Sequence, residues 1–360
     1  MISRAQRLGG CLIGTAVGDS LLLPMEGLSR SAIARRFQGA LRQRFFVGRG
    51  MVSDDTEHAL LTARAWLAVG ADSGDARSPE RFARALARRL RWWLCSLPPG
   101  CGLATARGLI RSWCGWPPSR SGVRSAGNGP SMRSAIIGAV ADADPVLRRS
   151  LVEASTAITH RDAIALAAAQ AVAATAALLM RGGVTDADVF AAWSGASDEP
   201  AWQRAVASMR RVADGGGTVD DLARELGCLQ RVTGWSLQSV PVALYAWWRH
   251  RGDAAACLTA IRDAGGDTDS TGAIAGALIG LDRGEAAFPE DWRGRIIGWP
   301  MTLAVLRSTG AALAGTAPLP GWCWPAQPLR NLAMLVIVIG HGLRRLVPGS
   351  GSGSGRGLSI

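Results

Sequence analysis

The chain is 360 residues long, 48% hydrophobic and 19% charged, a composition that excludes a disordered or fibrous protein and leaves one large domain or two small ones with a sizeable core. Its formal net charge of +12 admits nucleic acid or other anionic partners, but all 40 basic residues are Arg, and beside the abundant Ala and Gly this reads as a compositional replacement of Lys, not as a phosphate-binding stripe. Seven irregularly spaced Cys with no C-x-x-C exclude a disulfide framework or cysteine zinc site and suit a reducing, cytoplasmic setting.

At the N-terminus Arg4 and Arg7 precede an apolar stretch, and Leu8-Gly9-Gly10-Cys11 faintly resembles a lipoprotein cleavage box. Only seven mostly polar residues precede that box and Asp19 ends the stretch early, so no signal peptide is expected. Gly14 and Gly18 suit a helix packed closely against another backbone, and Pro24 stops it. Glu26 then falls on a loop past the helix end, where taken alone it reads as a solvated acid; Asp19 reads as a local hydrogen-bonding or supporting group.

Ser53-Asp54-Asp55-Thr56 precedes an apolar run. It is open to two readings: a helix N-cap with acids at the positive helix end, or oxygen ligands for a hard divalent cation. A helix is predicted over 79–93, where Arg84, Arg88, Arg89 and Arg91 fall at helical spacing; these, like Arg204, Arg210 and Arg211, read as solvated faces. Pro99-Gly100-Cys101-Gly102 opens a further helix over 103–113. Gly127-Asn128-Gly129-Pro130 is a glycine-rich turn feeding a helix, and its N–H groups could meet a phosphate or ribose. His160 stands alone between helices, a position that more often marks a structural histidine than a ligand.

Helices are predicted over 145–156, 162–180, 200–212, 219–226, 239–250 and 289–307, several beginning with Pro. The 162–180 segment is apolar nearly all round and belongs inside the bundle. A second acidic cluster, Gly265-Gly266-Asp267-Thr268-Asp269-Ser270-Thr271, places Asp267 and Asp269 two residues apart on an expected non-helical turn, so that both carboxylates can face one ion. Residues 318–328 form a Pro- and Trp-rich break before a C-terminal helix over 329–346. Its apolar part, 332–343, is shorter than the ~20 residues that span a bilayer, and a docked amphipathic helix is favoured over an interfacial anchor. Residues 349–357 read as a flexible Gly/Ser tail. The expected fold is all-α, with a dozen or more helices, no alternating strand pattern and no solenoid repeat. Its expected divisions are 1–310, 311–348 and 349–360.

Five segments in order, GTAVGDSLLLPMEG, SDDTEHALL, GNGPSMR, ITHRDA and GGDTDSTGAIAGALIG, resemble the ADP-ribosylglycohydrolase family across about residues 8–307. The resemblance implies a compact multi-helix fold that holds two Mg²⁺ (or Mn²⁺) and cleaves ADP-ribose from a protein side chain or a small conjugate. By the same resemblance Ser53, Asp54 and Asp55 are one group of metal ligands and Asp267, Asp269 and Ser270 the other. Glu26, Asp55 and Asp269 take catalytic roles. Gly100 and Gly102 receive the phosphates, Gly127, Asn128 and Gly129 contact ADP-ribose, and His160 lies near the nucleotide. Three departures stand out: Leu22 occupies a usual Gly position, Ser replaces the commoner Thr at 53 and 270 while keeping the hydroxyl, and no acid occurs between Glu80 and Asp142. Acid–base work therefore falls to Glu26 or the metal-site carboxylates. Competing readings are a non-catalytic ADP-ribose binder, a metal-dependent phosphohydrolase yielding AMP and, weakest, a nucleic-acid-binding protein. No specific nucleic acid and no membrane partner are expected, and the oligomeric state is open.

Overall fold

The computed structural model describes residues 2–71, 78–321, 323 and 325–346; the Gly/Ser tail expected at 349–360 lies outside the described residues. Eighteen α-helices, and no strand, account for the regular structure among them. In chain order these are α1 (Arg4–Leu22), α2 (Arg30–Arg36), α3 (Asp54–Ala71), α4 (Pro79–Cys95), α5 (Leu103–Trp113), α6 (Pro118–Ser121), α7 (Ser134–Val140), α8 (Pro145–Ala157) and α9 (Ala163–Arg181). They continue as α10 (Asp186–Ser194), α11 (Pro200–Asp214), α12 (Val219–Glu225), α13 (Ser236–Arg249), α14 (Ala254–Ala264), α15 (Thr268–Arg283), α16 (Glu290–Arg293), α17 (Leu303–Leu313) and α18 (Ala326–Leu346). The helix starts follow local chemistry: Ser78, Asp144 and Asp162 cap α4, α8 and α9 with side-chain oxygens, and Pro sits in the first turn of α4, α8 and α11, where its missing N–H costs nothing.

The expected single helix over 289–307 is instead two, α16 and α17. Gly294 ends the first, and Pro300, with no N–H to give and a ring that collides with a preceding turn, keeps the chain irregular until Thr302 caps the second. α17 spans Leu303–Leu313 and packs along α1.

The centre of the fold is a seam between α1 and α15 made of backbone alone. A Cβ on Gly10, Gly14 or Gly18 would lie 2.2, 2.0 and 2.0 Å from the carbonyl oxygens of Gly280, Gly276 and Gly272. The pairing is antiparallel, so the end of α1 meets the start of α15, and Asp19 and Glu26 come to the level of Asp267. Leu22, the residue at the family's usual Gly position, is fully buried and packs its Cδ1 over Gly272; it fills the end of this seam. Gly14→Ala is expected to lower stability by about 3 kcal/mol, the upper end for overpacking, in urea unfolding. Gly9→Ala, whose Cβ would have no neighbour nearer than 3.8 Å, should be neutral; equal midpoints for the two variants would mean that the seam relaxes freely.

α18 docks on the body as expected, but with its faces reversed. Ala326, Gln327, Arg330, Asn331 and Met334 are buried, whereas Leu329, Leu332, Leu335, Val336 and Ile339 are exposed. The contact that holds it combines polar groups with Met334 packed among Leu23, Phe45 and Met51, and its place against α3 is part of the site.

Candidate active site

The first acidic cluster stands at the start of α3. Ser53 Oγ accepts the Asp55 N–H (3.3 Å), and the Asp19 carboxylate, reaching over from the end of α1, accepts from Ser53 N (2.8 Å), Thr56 N (3.3 Å) and the Thr56 hydroxyl (2.5 Å). The cap reading is therefore correct for Ser53, and Asp19 completes it from another helix. That leaves Asp54 and Asp55 unneeded for capping. Burial pushes the Asp19 carboxyl up to about 6 against the pull of its hydrogen bonds from Thr56 and Ser53.

The second cluster is set by Gly266. Its φ of +86° and a Val232 oxygen 1.7 Å from where a Cβ would be admit no side chain. Gly27 N–H donates to Gly266 O (2.7 Å), Gly266 N–H to Leu28 O (2.8 Å) and Asp267 N–H to Val232 O (2.9 Å), which fastens the Glu26 loop beside Asp267. The expected non-helical turn holds only for Asp267, the residue before α15 (φ −78°, ψ 64°); Asp269 is already in the first helical turn, because α15 starts at Thr268.

The clusters meet. Ser53 Oγ and Ser270 Oγ both donate to Asp55 Oδ2 at 3.1 Å, joining α3 to α15. Asn128 Nδ2 donates to Asp267 Oδ2 (2.6 Å) and Ser239 Oγ (3.0 Å), so the 127–129 turn braces the other side. Asp55 Oδ1 and Asp269 Oδ1 are buried without a hydrogen-bond partner. Burial is the first cause holding Asp54, Asp55 and Asp269 well above the usual carboxylate range. Next come Glu57 for Asp54, Asp54 for Asp55, and Glu26 for Asp269. Orphaned oxygens among crowded acids are costly unless a cation compensates them. Among the described residues no three His, Cys, Asp or Glu groups are gathered round a single point. The donors come as carboxylates completed by serine hydroxyls, a hard-oxygen set that suits Mg²⁺ retaining much of its water.

Glu26, Asp54, Asp267, Asp269 and Ser270 line one wall of a cleft of about 550 Å³. Gly100, Gly102, Gly127, Asn128, Gly129 and His160 line the same cleft. Asp55 lies one hydrogen bond behind Ser270, and Ser53 one further behind Asp55. Over residues 1–317 the sequence matches the family model described as ADP-ribosylglycohydrolase. The chain belongs to the ADP-ribosylglycohydrolase family. An uncharacterized protein of Archaeoglobus fulgidus is 30% identical over 298 residues, covering 80% of this chain and 90% of its own. A solved structure described as an ADP-ribosylglycohydrolase-related protein complex superposes with a TM-score of 0.65 at 27% identity, covering 88% of this chain and 99% of that one.

In this member of the ADP-ribosylglycohydrolase family the non-acidic part of the cleft lining presents donors. α5 starts at Gly102 with no side-chain cap, so its first-turn N–H groups are open to an anion. His160 is buried, its Nδ1 2.9 Å from Thr159 Oγ1, and burial followed by Arg133 pushes its pKa down to about 3, so the ring is neutral.

Two buried arginines were not legible as site residues. Arg133 donates to Ser155 Oγ (2.9 Å), Ser155 O (3.0 Å), Thr159 Oγ1 (2.8 Å), Gly129 O (3.1 Å) and His58 Nδ1 (3.2 Å), tying the glycine turn to the His160 segment. Its position in GNGPSMR was a signal; its burial was not. Arg330 of α18 pairs with Glu57 Oε1 at 2.6 Å, both side chains buried, and also donates to Val52 O. Gln327 (2.6 Å) and the Trp93 indole share Glu57. Glu57 is one turn beyond Asp54, so α18, which lies past the family match, is fastened to the base of the first cluster.

Proposed function

We infer that the protein hydrolyses the glycosidic bond joining ADP-ribose to an acceptor, a protein side chain or a small conjugate, with two divalent cations bound. Support comes from the join between the clusters: Ser270 reaches Asp55, and beside it two buried carboxylate oxygens lack partners. Ser53, Asp54 and Asp55 would hold one ion and Asp267, Asp269 and Ser270 the other. When bound, Mg²⁺ or Mn²⁺ supplies positive charge that offsets the carboxylates and orients the vicinal ribose hydroxyls.

The remaining work belongs to the chain. The α5 N-terminus at Gly102 and the 127–129 turn receive the diphosphate and ribose, while neutral His160 backs that turn. Hydrolysis breaks the bond from the anomeric carbon to the acceptor atom and forms one from that carbon to a water oxygen. Positive charge growing at the anomeric carbon is met by Asp269 in the cleft, with the Asp55 carboxylate adding its field from behind Ser270. Glu26, at the exposed mouth of the cleft, takes the proton from water and returns it to the departing acceptor atom.

The test is a panel of ADP-ribosylated peptides and small conjugates, followed for free ADP-ribose. Release should stop with EDTA and return with Mg²⁺ or Mn²⁺. AMP as the product would replace this reading with a diphosphate hydrolase, and binding without turnover would leave only a binder.

A further inference from the structure

The charge on this protein is not evenly spread. Between Glu80 and Asp142 the chain carries ten Arg and no acid, and the fold gathers most of that segment on one face built from α4, α5 and α6. Arg81, Arg84, Arg88, Arg91 and Trp116 line a groove of about 450 Å³. Arg111 stacks on Trp116 (5.3 Å to the ring centre) and donates to Gly122 O (3.1 Å). It thereby reaches a second cavity, also about 450 Å³, walled by Arg111, Arg124 and Arg161. Arg124 and Arg161 immediately neighbour Ser125 and His160, which line the cleft, and a backbone bridge between Val123 and His160 holds those segments together. A basic track thus runs from the α4 groove to the cleft mouth.

The track is set apart by the absence of any acid along its segment and by the grooves its Arg line. Some surface Arg elsewhere is matched, as Arg211 with Glu225, Arg224 with Asp220, Arg293 with Glu290 and Arg295 with Asp291, while others such as Arg35, Arg36, Arg42 and Arg204 are exposed without an ion pair among the described residues. Along the track, Arg84, Arg88, Arg111, Arg124 and Arg161 have no carboxylate partner among the described residues. Positive charge is crowded enough that burial, then Arg88 and Arg64, lower Arg89 to about 10. Three tryptophans, Trp92, Trp113 and Trp116, are exposed beside the guanidinium groups, and Arg91 lies 5.2 Å from the Trp113 ring centre. Unpaired cations that follow a groove, with exposed indole faces between them, are the features that hold single-stranded nucleic acid by its phosphates and stacked bases.

We propose that this face binds the strand of an ADP-ribosylated single-stranded nucleic acid and leads its modified nucleotide into the cleft. The substrate assignment rests on the glycohydrolase reading above. Phosphate contacts and stacking carry no base sequence, so the binding is non-specific in sequence.

The probes are a labelled single-stranded oligonucleotide, the same strand carrying one ADP-ribosyl group, and a small ADP-ribose conjugate. The variant combines Arg84→Gln, Arg88→Gln and Arg124→Gln, all exposed positions, with its melting temperature checked against the parent. The triple variant should bind the strand at least about tenfold more weakly, with the salt slope reduced by about 2 for three lost phosphate contacts. KM for the modified strand should rise in parallel, while kcat and turnover of the small conjugate stay unchanged. If the parent cleaves the small conjugate but binds the strand no better than the variant, the proposal fails and the glycohydrolase reading stands. Competition by polyglutamate as effective as by the oligonucleotide would assign the face to acidic proteins and overturn the proposal. Strand binding without ADP-ribose release from any conjugate would remove the glycohydrolase reading and the substrate assignment with it.

Discussion

Asp55→Asn should lose about 10³-fold or more in ADP-ribose release and, measured in EDTA, should melt at a higher temperature than the parent. Asp55 is buried, accepts hydrogen bonds from Ser53 and Ser270, and faces Asp54, Asp19 and Asp267. A neutral amide of the same shape relieves that repulsion and forfeits the ligand. The sign with pH follows from the raised carboxyl. In acid, folded and unfolded chains both hold the proton and Asp55 costs nothing. As pH rises from the ordinary carboxylate range through the raised folded-state value, the unfolded chain releases its proton first, and the penalty grows until that value is passed. The stabilisation by Asp55→Asn is therefore smaller at pH 5 than at pH 8. Mg²⁺ should raise the melting temperature of the parent and leave the variant nearly unchanged. Equal gaps at both pH values, or a parent more stable than the variant in EDTA, would show that the cluster does not carry the cost of crowded burial.

Arg330→Ala should cost about 3–5 kcal/mol, because it strands the buried Glu57 charge. Glu57 then keeps the Trp93 indole and Gln327 but no cation, and Asp54, whose carboxyl is already pushed up by Glu57 after burial, feels that charge unscreened. The pair Glu57→Gln with Arg330→Met removes both charges and should recover most of the stability. A double-mutant cycle on urea midpoints measures the coupling. A cost below about 1 kcal/mol for Arg330→Ala, with no recovery in the double variant, would mean that the ion pair is incidental to the docking of α18.

The parts of the site legible in the sequence are those governed by neighbours along the chain. Ser53 before α3, Gly265-Gly266 before Asp267 and the Pro-led helix starts are local rules, and the structure places each where those rules put it. The i, i+2 placement of Asp267 and Asp269 was legible while the exact helix start was not, since one residue of cap position depends on the Val232 contact made from 35 residues away (267 − 232). Glu57 gave no such signal. On its own helix it is a third first-turn acid, and only the partner from α18 distinguishes it. The same holds for Arg133, which looks like a surface arginine until its five acceptors are seen around it. The basic segment between Glu80 and Asp142 was visible as charge, but whether Arg is paired is decided by packing among α4, α5 and α6.

The backbone seam between α1 and α15 has a consequence for inheritance. Any single-base change in a glycine codon that alters the amino acid without ending the chain introduces a Cβ, and at Gly10, Gly14, Gly18, Gly276 and Gly280 that atom would lie within 2.3 Å of an opposing carbonyl oxygen. No rotamer change can absorb it, because the opposing atoms are backbone. Random loss-of-function alleles should therefore collect on these codons as heavily as on those of the acidic clusters, although none of the five glycines lines the cleft.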